Sequence, residues 1–242
     1  MGNPSSGGVL FVTHVHSPRL GWLEEWAHRA YGGFRLVKAQ DGRLPSPDSV
    51  QTPVIIMGGP MGVGDLDAIP WLRRERQWIS ALIRQDARML GICLGAQMIA
   101  HCLGHRVDPC PNGAVEVGYH PLLSQHGLPP SAYQWHRDGI TLNSADLNGV
   151  QCLGTSSWRK GSTTQAFRRG RILGVQFHPE VDEHSIRHWL QRDATDLTGP
   201  YAQLGDGQIA DHAQYATGVR TWLEKELDSL WGISRQTLPA FP

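Results

Sequence analysis

The sequence predicts an α/β fold with an open, mainly parallel sheet, helices on both of its faces and a small antiparallel insertion. Up to Gly104, short apolar runs alternate with stretches of helical periodicity, which is typical of parallel strands joined by crossover helices. Residues 107–170 instead contain short β-like segments separated by Pro, Gly, Asn and Ser. An apolar run at residues 172–177 then returns to the first pattern.

The elements follow from the local patterns. Strands are expected at short apolar runs, which cover residues 8–14, 34–38, 54–57, 88–93 and 172–177. Helices are expected where apolar residues recur every three or four positions, which occurs at residues 20–30, 71–85, 94–103, 182–192 and 209–231. Residues 41–53, rich in Pro, Ser, Asp and Gly, predict a loop. We expect residues 233–242 to be loose.

Composition excludes several classes of protein. The 22 Lys and Arg residues balance 22 Asp and Glu residues, so no nucleic-acid or anionic-membrane surface is indicated. The apolar runs have the length of strands, so we expect no membrane span. The first residues lack a basic region followed by an apolar core, which favours a cytoplasmic protein without a signal peptide. The four cysteines include no Cys-x-x-Cys pair, so a zinc-ribbon or redox site lacks support.

Cys93 lies where an apolar strand changes at once into a helical pattern, between Gly91 and Gly95. This spacing is typical of a nucleophile elbow, a sharp strand–turn–helix connection in which a side chain at either glycine would clash. The positive end of the helix would favour the thiolate. The alternative is a buried strand that contains a small apolar residue, because free cysteine is often part of a core.

A second apolar strand ends in His-Pro-Glu at residues 178–180. A cysteine nucleophile needs a base and a group that orients the base. His178 and Glu180 supply both if the fold places them beside Cys93. Taken alone, His-Pro-Glu is equally compatible with a surface turn.

Two further loops follow predicted strands. Residues 58–61, Gly-Gly-Pro-Met, come directly after strand 54–57 at the edge where ligands bind in open α/β sheets. Gly59 can present its N–H group to a cleft, although a plain turn explains this segment as well. His14 and His16 follow the first strand. No third metal ligand is apparent nearby, so loop histidines on the rim of the cleft are favoured over a metal site.

Along the chain, the Gly-Gly-Pro-Met loop comes first, the elbow at Cys93 second and His-Pro-Glu third. In that order the three motifs closely resemble the class I (triad) glutamine amidotransferase family, in particular its stand-alone GMP synthetase-like amidotransferase domains. The resemblance covers residues 9–190 and implies a flavodoxin-like sheet. It places the amidotransferase domain in residues 1–194, with residues 195–242 as a helical extension packed on the same domain. The segment Trp135-His136-Arg137-Asp138 is similar to the Trp-His-x-Asp segment of the family's stand-alone members.

The resemblance also implies roles for individual residues. The implied catalytic triad is Cys93, His178 and Glu180. The implied oxyanion hole consists of the backbone N–H groups of Gly59 and Leu94. The implied substrate-binding residues are Gly58, Gln97, Trp135 and His136. No metal and no organic cofactor is implied.

The substrate implied is glutamine or another γ-glutamyl compound, and three functions remain open. In the first, the protein forms a γ-glutamyl thioester on Cys93 and releases ammonia for a separate synthetase, since the chain has neither a Gly-x-x-x-x-Gly-Lys-Ser/Thr loop nor a Ser-Gly-Gly-x-Asp-Ser loop. In the second, it works alone as a γ-glutamyl peptidase or hydrolase. The third is a non-catalytic regulatory module, which the intact Cys93, His178 and Glu180 disfavour.

Overall fold

The computed structural model describes residues 8–110, 113–124, 126–143, 147, 149–157, 163–192 and 194–232. The strands in these ranges are β1 (Val9–Thr13), β2 (Phe34–Lys38), β3 (Val54–Ile56), β4 (Met89–Ile92), β5 (Arg106–Pro109), β6 (Glu116–Pro121), β7 (Leu123–Ser124), β8 (Ser131–His136), β9 (Asp138–Thr141), β10 (Gln151–Ser156), β11 (Thr163–Arg169) and β12 (Ile172–Val175). The α-helices are α1 (Trp22–Tyr31), α2 (Pro70–Arg84), α3 (Leu94–Cys102), α4 (Glu183–Arg192) and α5 (Gly205–Trp231).

The first half of the main sheet is parallel, with the strand order β2-β1-β3-β4-β12. Alternate residues of β1 enter two different core clusters: Val9 and Phe11 pack with α1 and α5, whereas Leu10 and Val12 pack with α2 and α3. Each strand therefore buries both of its faces, as expected for a parallel sheet covered by helices on both sides. The predicted α/β fold class is confirmed.

The remaining strands of the main sheet are antiparallel. Beyond β12 the order continues β11-β10-β7, and β9 joins β11 to β5. Strands β6 and β8 form a separate antiparallel ribbon. The insertion is thus antiparallel, as predicted, but most of its strands extend the main sheet, which the sequence did not indicate.

The functional edge of the sheet follows from the parallel order. The connections after β3, β4 and β12 leave neighbouring strands in the same direction. They carry residues 58–61, Cys93 and residues 178–180 respectively. Segments that are far apart in the chain therefore meet at the carboxyl edge of the sheet.

Helix α5 starts at Gly205, earlier than the predicted residue 209, and ends at Trp231. The next residue, Gly232, has the left-handed conformation of a helix C-cap. Its C-terminal half buries Trp222, Leu223 and Leu227 in the core cluster that contains β1, β3 and β4. The ring of Trp222 lies 5.7 Å from that of Phe177.

None of the helices in the described ranges is long and apolar enough to cross a membrane. Residues 233–242, predicted to be loose, lie outside these ranges.

The contribution of α5 to stability can be measured. Leu223 is 0% exposed, so Leu223→Ala removes core contacts and is expected to lower the free energy of unfolding by about 2–5 kcal/mol. Lys225 is exposed on the same helix, and Lys225→Ala serves as the matched control with an effect within about 0.5 kcal/mol. Urea titration compares both variants with the wild type. Equal stability of all three proteins would contradict the core role of α5.

Candidate active site

Cys93 forms a sharp turn at the carboxyl edge of the sheet. Cys93 separates β4 from α3 and adopts φ 51° and ψ −110°, a conformation that non-glycine residues rarely adopt. Its N–H group donates to the carbonyl of Val175, 2.9 Å away, which ties the turn to β12. Cys93 is 6% exposed. The strand–turn–helix geometry expected at this cysteine is present.

The flanking glycines permit this turn. A Cβ atom at Gly95 would lie 2.1 Å from the carbonyl oxygen of Ile56, and one at Gly91 would lie 2.7 Å from the backbone of residues 95 and 96. Both distances are far inside van der Waals contact, so only glycine lets α3 approach the sheet this closely. The closeness places the N-terminus of α3, and thus the positive end of its dipole, directly beside Cys93.

His178 and Glu180 form a buried pair on the loop after β12. The Nδ1 atom of His178 lies 2.8 Å from Oε1 of Glu180, and both residues are buried. The backbone N–H group of His178 donates to the carbonyl of Tyr133, and the carbonyl of Pro179 accepts a hydrogen bond from the indole of Trp22. These contacts hold the loop from two sides.

The opposite edge of the His178 ring faces Cys93. A Cβ atom built on Gly58 would lie 2.8 Å from Cε1 of His178, 3.7 Å from its Nε2 and 3.4 Å from Cβ of Cys93. A side chain at residue 58 would therefore collide with His178 and contact Cys93. The structure brings Cys93, His178 and Glu180 together, with Glu180 on one ring nitrogen and the cysteine near the other.

The charge of His178 follows from these neighbours. Burial alone would lower the pKa of His178, but the Glu180 carboxylate and the Cys93 sulfur raise this pKa to about 10. The imidazole therefore carries a proton at neutral pH. A protonated histidine beside a cysteine at a helix N-terminus is the setting in which a thiolate is stabilised.

These groups line a cleft of about 530 Å³. Among the residues predicted for the site, those that line the cleft are Cys93, His178, Glu180, Gly58, Gly59, Gln97, Trp135 and His136. Leu94 differs, since its side chain is buried in the core between the sheet and α2. As the first residue of α3, however, it presents a backbone N–H group that has no partner within the helix.

Two of the predicted pocket residues are held firmly by hydrogen bonds. The Nε2 group of Gln97 donates to the carbonyl of Asp138 at 3.2 Å and to Oε1 of Gln176 at 3.3 Å. His136 has Nδ1 2.9 Å from the carbonyl of Asp138, and its Nε2 lies 2.9 Å from Oε2 of Glu116. Both side chains thus fix the start of β9, which forms one wall of the cleft.

Trp189 and Asp196 line the cleft, although neither was predicted as a site residue. Trp189, expected only as an apolar position of α4, packs edge-to-face on His178 with ring centroids 5.1 Å apart. Asp196 accepts hydrogen bonds from the indole of Trp135 and the guanidinium of Arg137. The position of α4 directly after His-Pro-Glu could have indicated Trp189. No sequence signal marks Asp196.

His14 does not lie on the cleft rim. It is 5% exposed, and its Nε2 lies 2.9 Å from Oε1 of Glu75 in α2. Its partner is therefore a buried carboxylate behind the glycine loop. Within the residues that the structure describes, no group of three or more His, Cys, Asp or Glu side chains could hold a metal ion.

The chain belongs to the class I glutamine amidotransferase family, because the family model for "Glutamine amidotransferase class-I" matches residues 38–195. It is 24% identical to the glutamine amidotransferase-like protein YfeJ of Salmonella typhimurium, over 92% of this chain and 94% of that protein. It is 32% identical to a glutamine-hydrolyzing GMP synthase of Thermomicrobium roseum, over 53% of this chain but only 23% of the synthase.

Solved structures of two other proteins have the same fold. A glutamine amidotransferase from Thermotoga maritima superposes with a TM-score of 0.77 at 25% identity, covering 92% of this chain and 96% of that one. A glutamine amidotransferase from Methylobacillus flagellatus, at 20% identity, superposes with a TM-score of 0.79 over 98% and 100% of the two chains. These two structures thus share the fold over 92% and 98% of this chain.

The close approach at the elbow leads to a stability test. Gly95→Ala places a Cβ atom against the Ile56 carbonyl and is expected to cost at least about 2 kcal/mol of unfolding free energy. Gly218→Ala in α5 is the matched control, since nothing lies within 4 Å of the new Cβ atom and alanine is the better helix former. Thermal denaturation of both variants is the measurement. A Gly95→Ala protein as stable as Gly218→Ala would contradict the packing argument.

The His178–Glu180 pair leads to a titration test. Glu180→Gln removes the carboxylate that raises the pKa of His178, so this pKa is expected to fall well below about 10. The ¹³Cε1 resonance of His178 reports the titration. Glu183→Gln, which alters an exposed carboxylate on α4, should leave the pKa of His178 unchanged.

The same pair makes stability depend on pH. Because the folded-state pKa of His178 is raised, its contribution is complete below the unfolded pKa of about 6.5 and is lost as the pH rises toward about 10. The difference in unfolding free energy between the wild type and Glu180→Gln should therefore shrink across this window. A difference that grows with pH would contradict the assignment.

Proposed function

We propose that this protein hydrolyses the side-chain amide of glutamine through a γ-glutamyl thioester on Cys93 and delivers the ammonia to a separate synthetase. The observation that carries the proposal is the geometry at the sheet edge. A cysteine in a strained turn at a helix N-terminus faces a protonated histidine, which a buried glutamate orients. This is the arrangement that cysteine nucleophiles require.

In the first half-reaction, the Cys93 thiolate adds to the amide carbon of glutamine. The backbone N–H groups of Gly59 and Leu94 receive the negative charge that develops on the carbonyl oxygen. The protonated His178 gives its proton to the amide nitrogen, the C–N bond breaks and ammonia leaves. The thioester remains on the sulfur.

In the second half-reaction, the now neutral His178 takes a proton from water. The resulting hydroxide equivalent attacks the thioester carbon, the C–S bond breaks, and glutamate and the Cys93 thiolate are released. Glu180 holds the Nδ1 side of the ring throughout, so Nε2 exchanges the proton. No step requires a metal or an organic cofactor.

The family and its relatives support this choice of substrate. The chain matches glutamine-hydrolyzing GMP synthases over about a quarter of their length. The remainder of those enzymes has no counterpart in the aligned part of this chain. The segment that matches is the amidotransferase part. We therefore propose that a separate partner protein accepts the ammonia.

The size of the cleft favours a second candidate, a γ-glutamyl peptidase or hydrolase. A volume of about 530 Å³ lies within the range of about 300–1,000 Å³ that is common for pockets that hold drug-sized ligands. Trp135, Trp189 and Asp196 line the same cleft as Cys93. These groups could contact the leaving group of a γ-glutamyl peptide, where glutamine has only an amide nitrogen.

Hydrolysis by the purified protein distinguishes the candidates. Ammonia or amine release is measured with glutamine and with γ-glutamyl peptides, including glutathione. Cys93→Ala is expected to lose at least about 10⁴-fold in kcat. Cys102→Ala is the matched control, because Cys102 lies at the far end of α3, where burial raises the pKa of its thiol.

Each outcome assigns a function. Turnover of glutamine supports the ammonia-releasing enzyme, whereas a strong preference for peptides supports the γ-glutamyl hydrolase. Wild type and Cys93→Ala with equal rates on every substrate would contradict both and leave the non-catalytic regulatory module.

A further inference from the structure

A buried ion pair that the proposed chemistry does not use lies directly behind the glycine loop. Nε2 of His14 is 2.9 Å and 3.1 Å from the two carboxylate oxygens of Glu75. Both side chains are 0% exposed. The ring of Trp71 stacks on His14 with centroids 6.2 Å apart and an interplanar angle of 24°. Burying two charged groups has a large desolvation cost, so we asked which function this pair could serve.

The second ring nitrogen of His14 contacts the glycine loop itself. Nδ1 donates to the carbonyl oxygen of Gly58 at 3.2 Å. His14 also packs against the next residue, since a Cβ atom at Gly59 would lie 2.7 Å from Cβ of His14. The imidazole thus connects α2 to the Gly58–Gly59 peptide.

This hydrogen bond determines the direction of one N–H group. The chain has no cis peptide bond in the described ranges, so the Gly58 carbonyl and the Gly59 N–H point in opposite directions. The carbonyl points to His14. The Gly59 N–H therefore points away from His14, and no protein acceptor for it occurs among the hydrogen bonds of the described residues. On its other side the glycine loop adjoins Cys93 and His178, since a Cβ atom at Gly58 would lie 3.4 Å from Cβ of Cys93 and 2.8 Å from Cε1 of His178.

We propose that His14, itself fixed by Glu75, is a positioning residue that holds the Gly58–Gly59 peptide with the Gly59 N–H turned toward Cys93. The inference rests on the proposed function, in which this N–H group receives the oxyanion. A peptide between two glycines rotates easily, because neither residue restricts its φ and ψ angles. Without a donor at its carbonyl, the peptide can turn and leave the oxyanion with one N–H group.

The charge state of the pair agrees with this role. Burial alone would lower the pKa of His14, but the Glu75 carboxylate and the carbonyls of Gly58 and Met57 raise it above the ordinary value. This shift favours the doubly protonated ring, which donates from both nitrogens. It can therefore hold Glu75 and the Gly58 carbonyl at the same time.

Two double variants separate positioning from packing. Both contain Glu75→Gln, so that neither leaves an unpaired buried carboxylate. His14→Asn places an amide N–H group near the position of Nδ1 and keeps a donor for the Gly58 carbonyl. His14→Leu is similar in size and provides no donor. The two proteins therefore share the loss of the ion pair and differ in the hydrogen bond to Gly58.

Kinetics and alkylation provide the first measurement. The Leu variant is expected to lose about 100-fold in kcat with little change in KM, whereas the Asn variant stays within about 10-fold of the wild type. Alkylation of Cys93 by iodoacetamide develops no oxyanion, so its rate should be the same in all three proteins. Equal kcat values for the two double variants, or a parallel loss of alkylation rate in the Leu variant, would overturn the inference.

An NMR measurement tests the same contact without turnover. The Gly59 amide, observed in glycine-labelled protein, should give one sharp resonance in the wild type and the Asn variant. It should be broadened or doubled in the Leu variant, where the peptide can rotate. One unchanged resonance in all three proteins would refute the positioning role. A wild type that hydrolyses nothing, with the expected spectra, would instead count against the proposed function alone.

Discussion

The contact on which the site depends is the approach of the N-terminus of α3 to strand β3. Gly95 lies so close to the Ile56 carbonyl that any side chain would collide with it. This approach forces the positive φ angle of Cys93 and directs the first N–H groups of α3 toward the sheet edge. It also brings the end of β3, and with it the glycine loop, within reach of the cysteine. A single backbone-to-backbone contact thereby fixes Cys93, the N-terminus of α3 and the glycine loop relative to one another.

The order β3-β4-β12 determines what meets at that edge. Cys93 follows the central strand of the three, and its N–H group is bonded to Val175 of β12. The loops after the two neighbouring strands therefore reach it from either side, one with backbone N–H groups and the other with an imidazole. The two loops and Cys93 come together at Gly58, where an added Cβ atom would meet both His178 and Cys93. The N–H groups of one loop and the imidazole of the other lie close together because the strands that precede them flank the same central strand.

The sequence predicted the residues of this edge better than their surroundings. Strands, elbow and His-Pro-Glu each have a local signature: an apolar run, paired glycines, or a short motif that resembles a known family. The His14–Glu75 pair has none, because its members are 61 positions apart and Glu75 occupies an apparently polar position of α2. Asp196 likewise depends on how the chain folds back after α4. Strands β10 and β11 were expected in an insertion, but backbone pairing, which leaves no trace in side-chain periodicity, joins them to the main sheet.

The contact between Phe177 and Trp222 makes the local stability of the candidate site depend on the C-terminal helix α5. Phe177 immediately precedes His178, and its ring rests on a side chain supplied by α5. Proteins open in segments, and a terminal helix can detach at a lower free energy than the central sheet. When α5 detaches, the residue before the imidazole loses its support while β3 and β4 remain intact. Heat inactivation would then follow the local opening of this helix rather than the melting of the sheet.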